Sequence, residues 1–107
     1  MMKKIILIAL AFAFSTAVQA GDAAAGREKS KVCAACHGEG GVGLDAMQDF
    51  PRLAGQYSDY IVRALKDYQS GGRKNPVMAG QVKDLKAADI EDLAAYFYSQ
   101  QALVGKK

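Results

Sequence analysis

From Tyr57 to Tyr68 the apolar positions recur at spacings of three and four: Tyr57, Ile61, Ala64, Leu65 and Tyr68. Asp59, Arg63, Lys66 and Asp67 fall mostly elsewhere, so the stretch predicts an amphipathic helix over about Ser58 to Gln69. Gly71 and Gly72 mark its end. A second such face, Ile90, Leu93, Ala94 and Phe97, predicts a helix from about Ala87 to Gln101. Asp89, Glu91 and Asp92 load its first turns with negative charge, which favours the amide end of the helix dipole. Lys86 stands at the cap position, where serine or aspartate would cap better. A third, shorter helix is expected from about Ala23 to Lys31, with Asp22 as the N-cap. Gly26 weakens that helix relative to alanine, and is easier to explain if another helix crosses closely there. No alternating strand pattern of useful length and no internal repeat appears, so the expected class is all-α. The glycine-rich "GEGGVG", Gly38 to Gly43, lacks a following Lys-Ser/Thr and reads as an irregular loop, not a phosphate loop.

The beginning of the chain follows a different rhythm. Lys3 and Lys4 precede the wholly apolar "IILIALAFAF", Ile5 to Phe14, and small or polar residues lead to Val18-Gln19-Ala20. This pattern predicts a secretory signal peptide over residues 1–20, cut after Ala20. Ile5 to Val18 is shorter than the roughly 20 residues that span a bilayer core, so no membrane span is expected after cleavage. The expected mature domain is residues 21–107, exported to an oxidising compartment such as a bacterial periplasm.

Removing the leader changes the charge. The whole chain carries +3, whereas residues 21–107 hold 12 basic against 11 acidic side chains. A nucleic-acid binder of this size would carry a large basic excess, and that class is set aside. Eighty-seven residues with no tryptophan make a thin core, so a staple, metal or cofactor is expected to help fill it.

All of the cysteine and histidine in the chain lies in "CAACH", Cys33 to His37. A structural zinc site needs four ligands, and three are present with Cys36 and His37 adjacent. A thioredoxin-like dithiol would sit in a βαβ context that is absent here. A Cys33–Cys36 disulfide would close a tiny loop, stabilise little and leave His37 unexplained. Covalent haem attachment uses all three residues. Two thiols three positions apart can add to two porphyrin vinyl groups, and the adjacent imidazole can coordinate the iron. Haem is the favoured reading; the dithiol and the disulfide stay open. Methionine is the natural second axial ligand, and residues 21–107 contain Met47 and Met78. Met47 is ten residues past His37, whereas Met78 leaves enough chain to wrap the porphyrin, with Pro76 to stiffen the approach. Met78 is preferred.

With "VCAACHG", "FPRLAGQYSDYIVRALKDYQSGGR", "NPVMAG" and "DIEDLAAYF" in that order, the chain resembles a class I c-type cytochrome over essentially residues 21–107. It is similar to small bacterial cytochromes of the c553 kind and to single halves of two-haem periplasmic cytochromes. The resemblance implies an all-α fold of about three main helices around one covalent haem. It implies Cys33 and Cys36 as thioether sites, His37 and Met78 as axial ligands, and the Pro51 carbonyl as acceptor of the His37 Nδ1 proton. It also implies a helix crossing at Gly26 with Leu93 and Tyr96, and Phe97 towards the haem. Arg52, Tyr57 and Arg73 are reasonable propionate contacts. Two departures from the family pattern are Ser30, where many relatives carry an aromatic residue, and Lys86 at the last helix start.

Two fixed axial ligands leave no substrate position, so the expected function is one-electron transfer and not catalysis. The expected donors are quinol-oxidising complexes or dehydrogenases; the expected acceptors are oxidases, reductases or peroxidases. The protein is expected to be a soluble monomer, with Arg73 and Lys74 as candidate docking charges. A haem enzyme or gas sensor with a labile distal site, and a subunit of a larger oxidoreductase, are the alternatives.

Overall fold

The computed structural model describes residues 21–47 and 49–100, so the expected signal peptide lies outside the described residues. Among them the chain is all-helical: α1 (Ala23–Lys29), α2 (Lys31–His37), α3 (Ser58–Ser70), α4 (Pro76–Val82) and α5 (Ala87–Ser99). Two 3-10 turns, Glu39–Gly41 and Asp45–Met47, lie between α2 and α3. None of the described helices is long and apolar enough to cross a membrane.

α3 and α5 are the two long helices read from the apolar spacing, and α1 starts where Asp22 predicts. The Asp22 carboxylate accepts from the Ala24 and Ala25 amides at 2.9 and 3.2 Å. The expected helix from Ala23 to Lys31 ends two residues early, at Lys29. Ser30 sits buried at the junction, and its hydroxyl donates to the Arg27 carbonyl at 2.7 Å. The chain then restarts as α2, which carries the two cysteines and His37.

α4 is an element that the apolar spacing does not predict, and it carries Met78. Asn75 caps α4, its side-chain oxygen accepting from the Val77 and Met78 amides at 3.0 and 3.2 Å. Pro76 fits at the first helical position, where no amide proton is needed. α5 ends at Ser99, short of the expected Gln101: Gln100 already has extended backbone, and Gln101 lies outside the described residues.

The core forms around α5. Ile90, Leu93, Ala94, Tyr96 and Phe97 are all buried there, with Ile61 of α3, Val82 of α4 and Ala54. Full burial of a side chain such as Ile90 or Leu93 stabilises by about 1.5–3 kcal/mol. Leu93, Tyr96 and Phe97 make one cluster, and Cys33, Leu53, Leu65 and Leu85 pack on it. Of the expected α3 face, Ile61 is buried and Leu65 half-buried, but Tyr57 is 70% exposed at the helix start.

α1 crosses α5 at Gly26. A Cβ there would lie 2.8 Å from the Tyr96 Cβ and 2.6 Å from the Asp92 carbonyl carbon, with the carbonyl oxygen nearer still. Tyr96 is thus a crossing partner, as expected, but the closest surface is the Asp92 backbone and not Leu93. Polar groups fasten the same crossing. Lys29 Nζ bridges Asp89 at 2.7 Å and Asp92 at 2.6 Å, and the Asp22 amide donates to Asp92 at 2.8 Å. Hydrogen bonding to Lys29 holds both carboxyls below their ordinary range and raises the Lys29 ammonium above its own.

The weak cap expected at Lys86 is met from three residues on. Lys86 has no side-chain acceptor, so its own amide donates to the Asp89 carboxylate at 2.9 Å, one half of a capping box.

Candidate haem site

α2 places Cys33, Cys36 and His37 at positions i, i+3 and i+4 of a helix, which are neighbours on one face. Both cysteines are half-buried free thiols. Cys33 lies against the Leu93–Tyr96–Phe97 cluster. Burial pushes its thiol pKa up, and the neighbouring Cys36 adds to the rise.

His37 is 6% exposed, and its Nδ1 lies 2.7 Å from the Pro51 carbonyl oxygen. A carbonyl only accepts, so Nδ1 carries the proton and Nε2 keeps a free lone pair for a metal. The glycine-rich turn sets up this bond. The Gly43 amide donates to the His37 carbonyl at 2.7 Å, and the Leu53 and Ala54 amides both donate to the Gly41 carbonyl, at 2.7 and 3.0 Å. Pro51 is two residues from Leu53, so these bonds locate its carbonyl over the imidazole. Gly41 has φ +75°, and a Cβ there would come within 2.8 Å of Leu53 Cβ and 2.9 Å of Phe97 Cδ1. Only glycine meets both conditions. Phe50 adds an edge contact to the His37 ring, with centroids 6.2 Å apart.

Met78 lies half-buried in the first turn of α4, with its amide held by Asn75. Phe97 belongs to the core cluster and packs on the Gly41 turn. Pro51 enters the site through its carbonyl. Arg52 is exposed and runs along Gly43, whose added Cβ would lie 3.0 Å from Arg52 Cγ. Tyr57 is exposed, and the Arg73 guanidinium sits 4.8 Å above the Tyr68 ring. The Met47 side chain lies outside what the structure describes.

The irregular loop expected over Gly38 to Gly43 is present, but its part in holding Pro51 over His37, and the Phe50 contact, are not legible in the sequence.

The donor set suits a haem better than a bare ion. Among the described residues no group of three or more His, Cys, Asp or Glu side chains converges as a metal cage. Two thiols and one correctly protonated imidazole share a helix turn instead. Leu44, Phe50 and Val77, near His37 and Met78 in the chain, are 37%, 39% and 57% exposed, apolar surface that a porphyrin face can cover.

Residues 20–97 match the family model described as cytochrome c oxidase, cbb3-type, subunit III. Cytochrome c4 of Azotobacter vinelandii is 43% identical over 95 residues, covering 80% of this chain and 44% of that protein. Cytochrome c-554(548) of Halomonas halodenitrificans is 42% identical over 85 residues, covering 77% of this chain and all of the relative. The crystal structure of reduced recombinant cytochrome c4 from Pseudomonas stutzeri superposes with a TM-score of 0.72 at 42% identity, covering 78% of this chain and 47% of that one. The chain thus spans about half the length of the cytochromes c4 it matches. By sequence, helical architecture and donor set together, the chain belongs to the c-type cytochromes, with the class I fold and a covalently bound haem c.

Proposed function

We propose that this chain is a one-electron carrier working outside the cytoplasm, its haem attached through Cys33 and Cys36 and its iron held between His37 and Met78. The observation that carries the reading is the 2.7 Å bond from His37 Nδ1 to the Pro51 carbonyl, on the helix that bears both thiols. It fixes the tautomer and ring orientation and makes Nε2 a stronger donor. Haem supplies one-electron chemistry when bound.

The chain's own residues do the rest. Cys33 and Cys36 anchor the group, and the Gly41 turn holds Pro51 against His37. Met78 contributes a soft sulfur that favours ferrous iron and raises the potential. Two protein ligands leave no position for substrate, so the role is transfer and not catalysis. Arg52, Tyr57 and Arg73 are the proposed propionate neighbours, and Phe97 backs the haem pocket from the core.

The partners are redox proteins: a quinol-oxidising complex or dehydrogenase as donor, an oxidase, reductase or peroxidase as acceptor. The near balance of 12 basic and 11 acidic residues over 21–107 argues for weak long-range steering. The leader-like residues 1–20 support export to the periplasm, with residues 21–107 acting as a soluble monomer.

One observation favours a second reading, an electron-transfer unit within a larger oxidoreductase: the chain also superposes on part of a thiosulfate dehydrogenase from Marichromatium purpuratum, with a TM-score of 0.70 at 33% identity over 21% of that chain. Spectra of the purified protein test the first. Ferric protein should show the far-red sulfur-to-iron band, and untreated ferrous protein should not bind carbon monoxide. Loss of the band in a Met78→Ala variant is expected; a band that survives it overturns the axial assignment. Stable co-purification with another redox chain would favour the second reading.

A further inference from the structure

Gln69, in the last turn of α3, lies off its apolar face. Its Nε2 nevertheless donates to two carbonyls far along the chain, those of Val82 and Leu85, each at 2.8 Å. Val82 ends α4, where its carbonyl also accepts from the Leu85 amide at 3.1 Å, and Leu85 lies in the connection before α5. An amide nitrogen has two hydrogens, and here both are engaged.

The rest of α4 is loosely held. It is seven residues long, too short to persist without tertiary support. Val82 is its buried anchor at 2% exposure, whereas Pro76, Val77, Gly80 and Gln81 are exposed. The preceding connection, residues 71–75, is exposed and includes Gly71 at φ +85° and Gly72. Asn75 secures the first turn internally, but that bond travels with the helix. The Gln69 amide is a polar tie from α3 to the far end of α4.

We propose that Gln69 is a positioning residue, a two-pronged latch that holds α4 on α3 and thereby sets how firmly Met78 stays on the iron. The proposal rests on Met78 being the distal ligand. Releasing the latch frees the Val82 end of α4 to pivot about the glycine-containing connection, and Met78 moves with it.

The test uses the haem-loaded protein and imidazole as a competing ligand for the ferric iron. Gln69→Leu keeps the approximate side-chain size and removes both donors. It should bind imidazole about ten-fold more tightly than the parent, the equivalent of one or two hydrogen bonds. Its far-red band should also fade at a lower temperature. Gln69→Lys keeps donors at the same place and should stay near the parent. Ile90→Val, a small cut in the buried face of α5, controls for general destabilisation and should leave imidazole affinity unchanged. An unchanged Gln69→Leu, or equal weakening in the Leu and Lys variants, overturns the latch. So does an Ile90→Val variant that binds imidazole as tightly as Gln69→Leu. Met78→Ala separates the two ideas: if the far-red band survives in it, the ligand assignment has failed, whereas a Met78-dependent band with an unresponsive Gln69→Leu sinks the latch alone.

Discussion

The same substitution at two helical glycines should change stability in opposite directions. At Gly26, an alanine methyl would sit 2.6 Å from the Asp92 carbonyl carbon and 2.8 Å from Tyr96 Cβ, against an ordinary contact of 3.4 Å or more. The shortfall is about 0.8 Å at the carbonyl carbon and larger at its oxygen, and this main neighbour is backbone in the middle of α5, which cannot rotate away. α1 and α5 must therefore part, and the Lys29 bridges and the Tyr96 packing are strained together. Overpacking of this kind costs about 1–3 kcal/mol, with fixed backbone neighbours at the upper end. Alanine returns about 1 kcal/mol of helix propensity, leaving Gly26→Ala about 2 kcal/mol less stable. At Gly80 in α4, a Cβ would meet nothing within 4 Å, and the residue lies two positions from Met78 and so away from its face. Gly80→Ala should gain the propensity alone, about 1 kcal/mol. Guanidinium unfolding of the haem-loaded proteins, followed by far-ultraviolet circular dichroism, measures both. With a slope of about 2 kcal/mol/M the midpoints should move by about 1 M down and about 0.5 M up. Equal or greater stability of Gly26→Ala would refute the close crossing, because propensity would then be the only force acting.

The Lys29 cluster predicts a pH dependence. Asp89 and Asp92 have lowered pKa values, so their contribution is complete above the ordinary carboxylate range and is lost as pH falls through the lowered values. Lys29→Met should flatten the acid limb of a plot of urea midpoint against pH; parallel limbs for the two proteins would remove the cluster from acid stability. Asn75→Ala deletes the α4 cap and should cost about 1 kcal/mol, read by the same unfolding assay. Gly41→Ala should push Leu53 and the Pro51 carbonyl away from His37, weaken the imidazole as a donor, and raise the reduction potential in a potentiometric titration. A potential at or below the parent value would contradict that chain of contacts.

The residues differ in how plainly they announce themselves. α3 and α5 could be read because thirteen residues give an apolar spacing room to repeat. α2 and α4 have seven residues each, fewer than two full turns, and periodicity cannot register there. A different signal for α4 was present: Asn75-Pro76 is a cap followed by a first-turn proline, although the proline reads as readily as loop stiffening. Gly26 announced a crossing, since a helical glycine needs a reason, but the nearest surface proved to be a backbone carbonyl that no side-chain pattern encodes. Lys86 looked like a defect until Asp89 took its amide. Gln69 left no trace in the pattern, because its partners are carbonyls 13 and 16 residues away. For the site, the candidate donor types are legible in "CAACH" and the Pro51 bond through the family pattern. The Gly41 turn that enforces that bond depends on backbone hydrogen bonding, which composition does not display.

The crossing of α1 and α5 also has a meaning for assembly. It joins the two ends of residues 21–100, and α1, at seven residues, cannot persist before its partner arrives. Cys33 lies a few residues beyond α1 and packs on the cluster that α5 contributes. When the ends meet, that thiol is covered and its ionisation is suppressed; while they are apart, it is open to water and to chemistry. The thiol is therefore more available for bond formation on the unclosed chain than on the closed one.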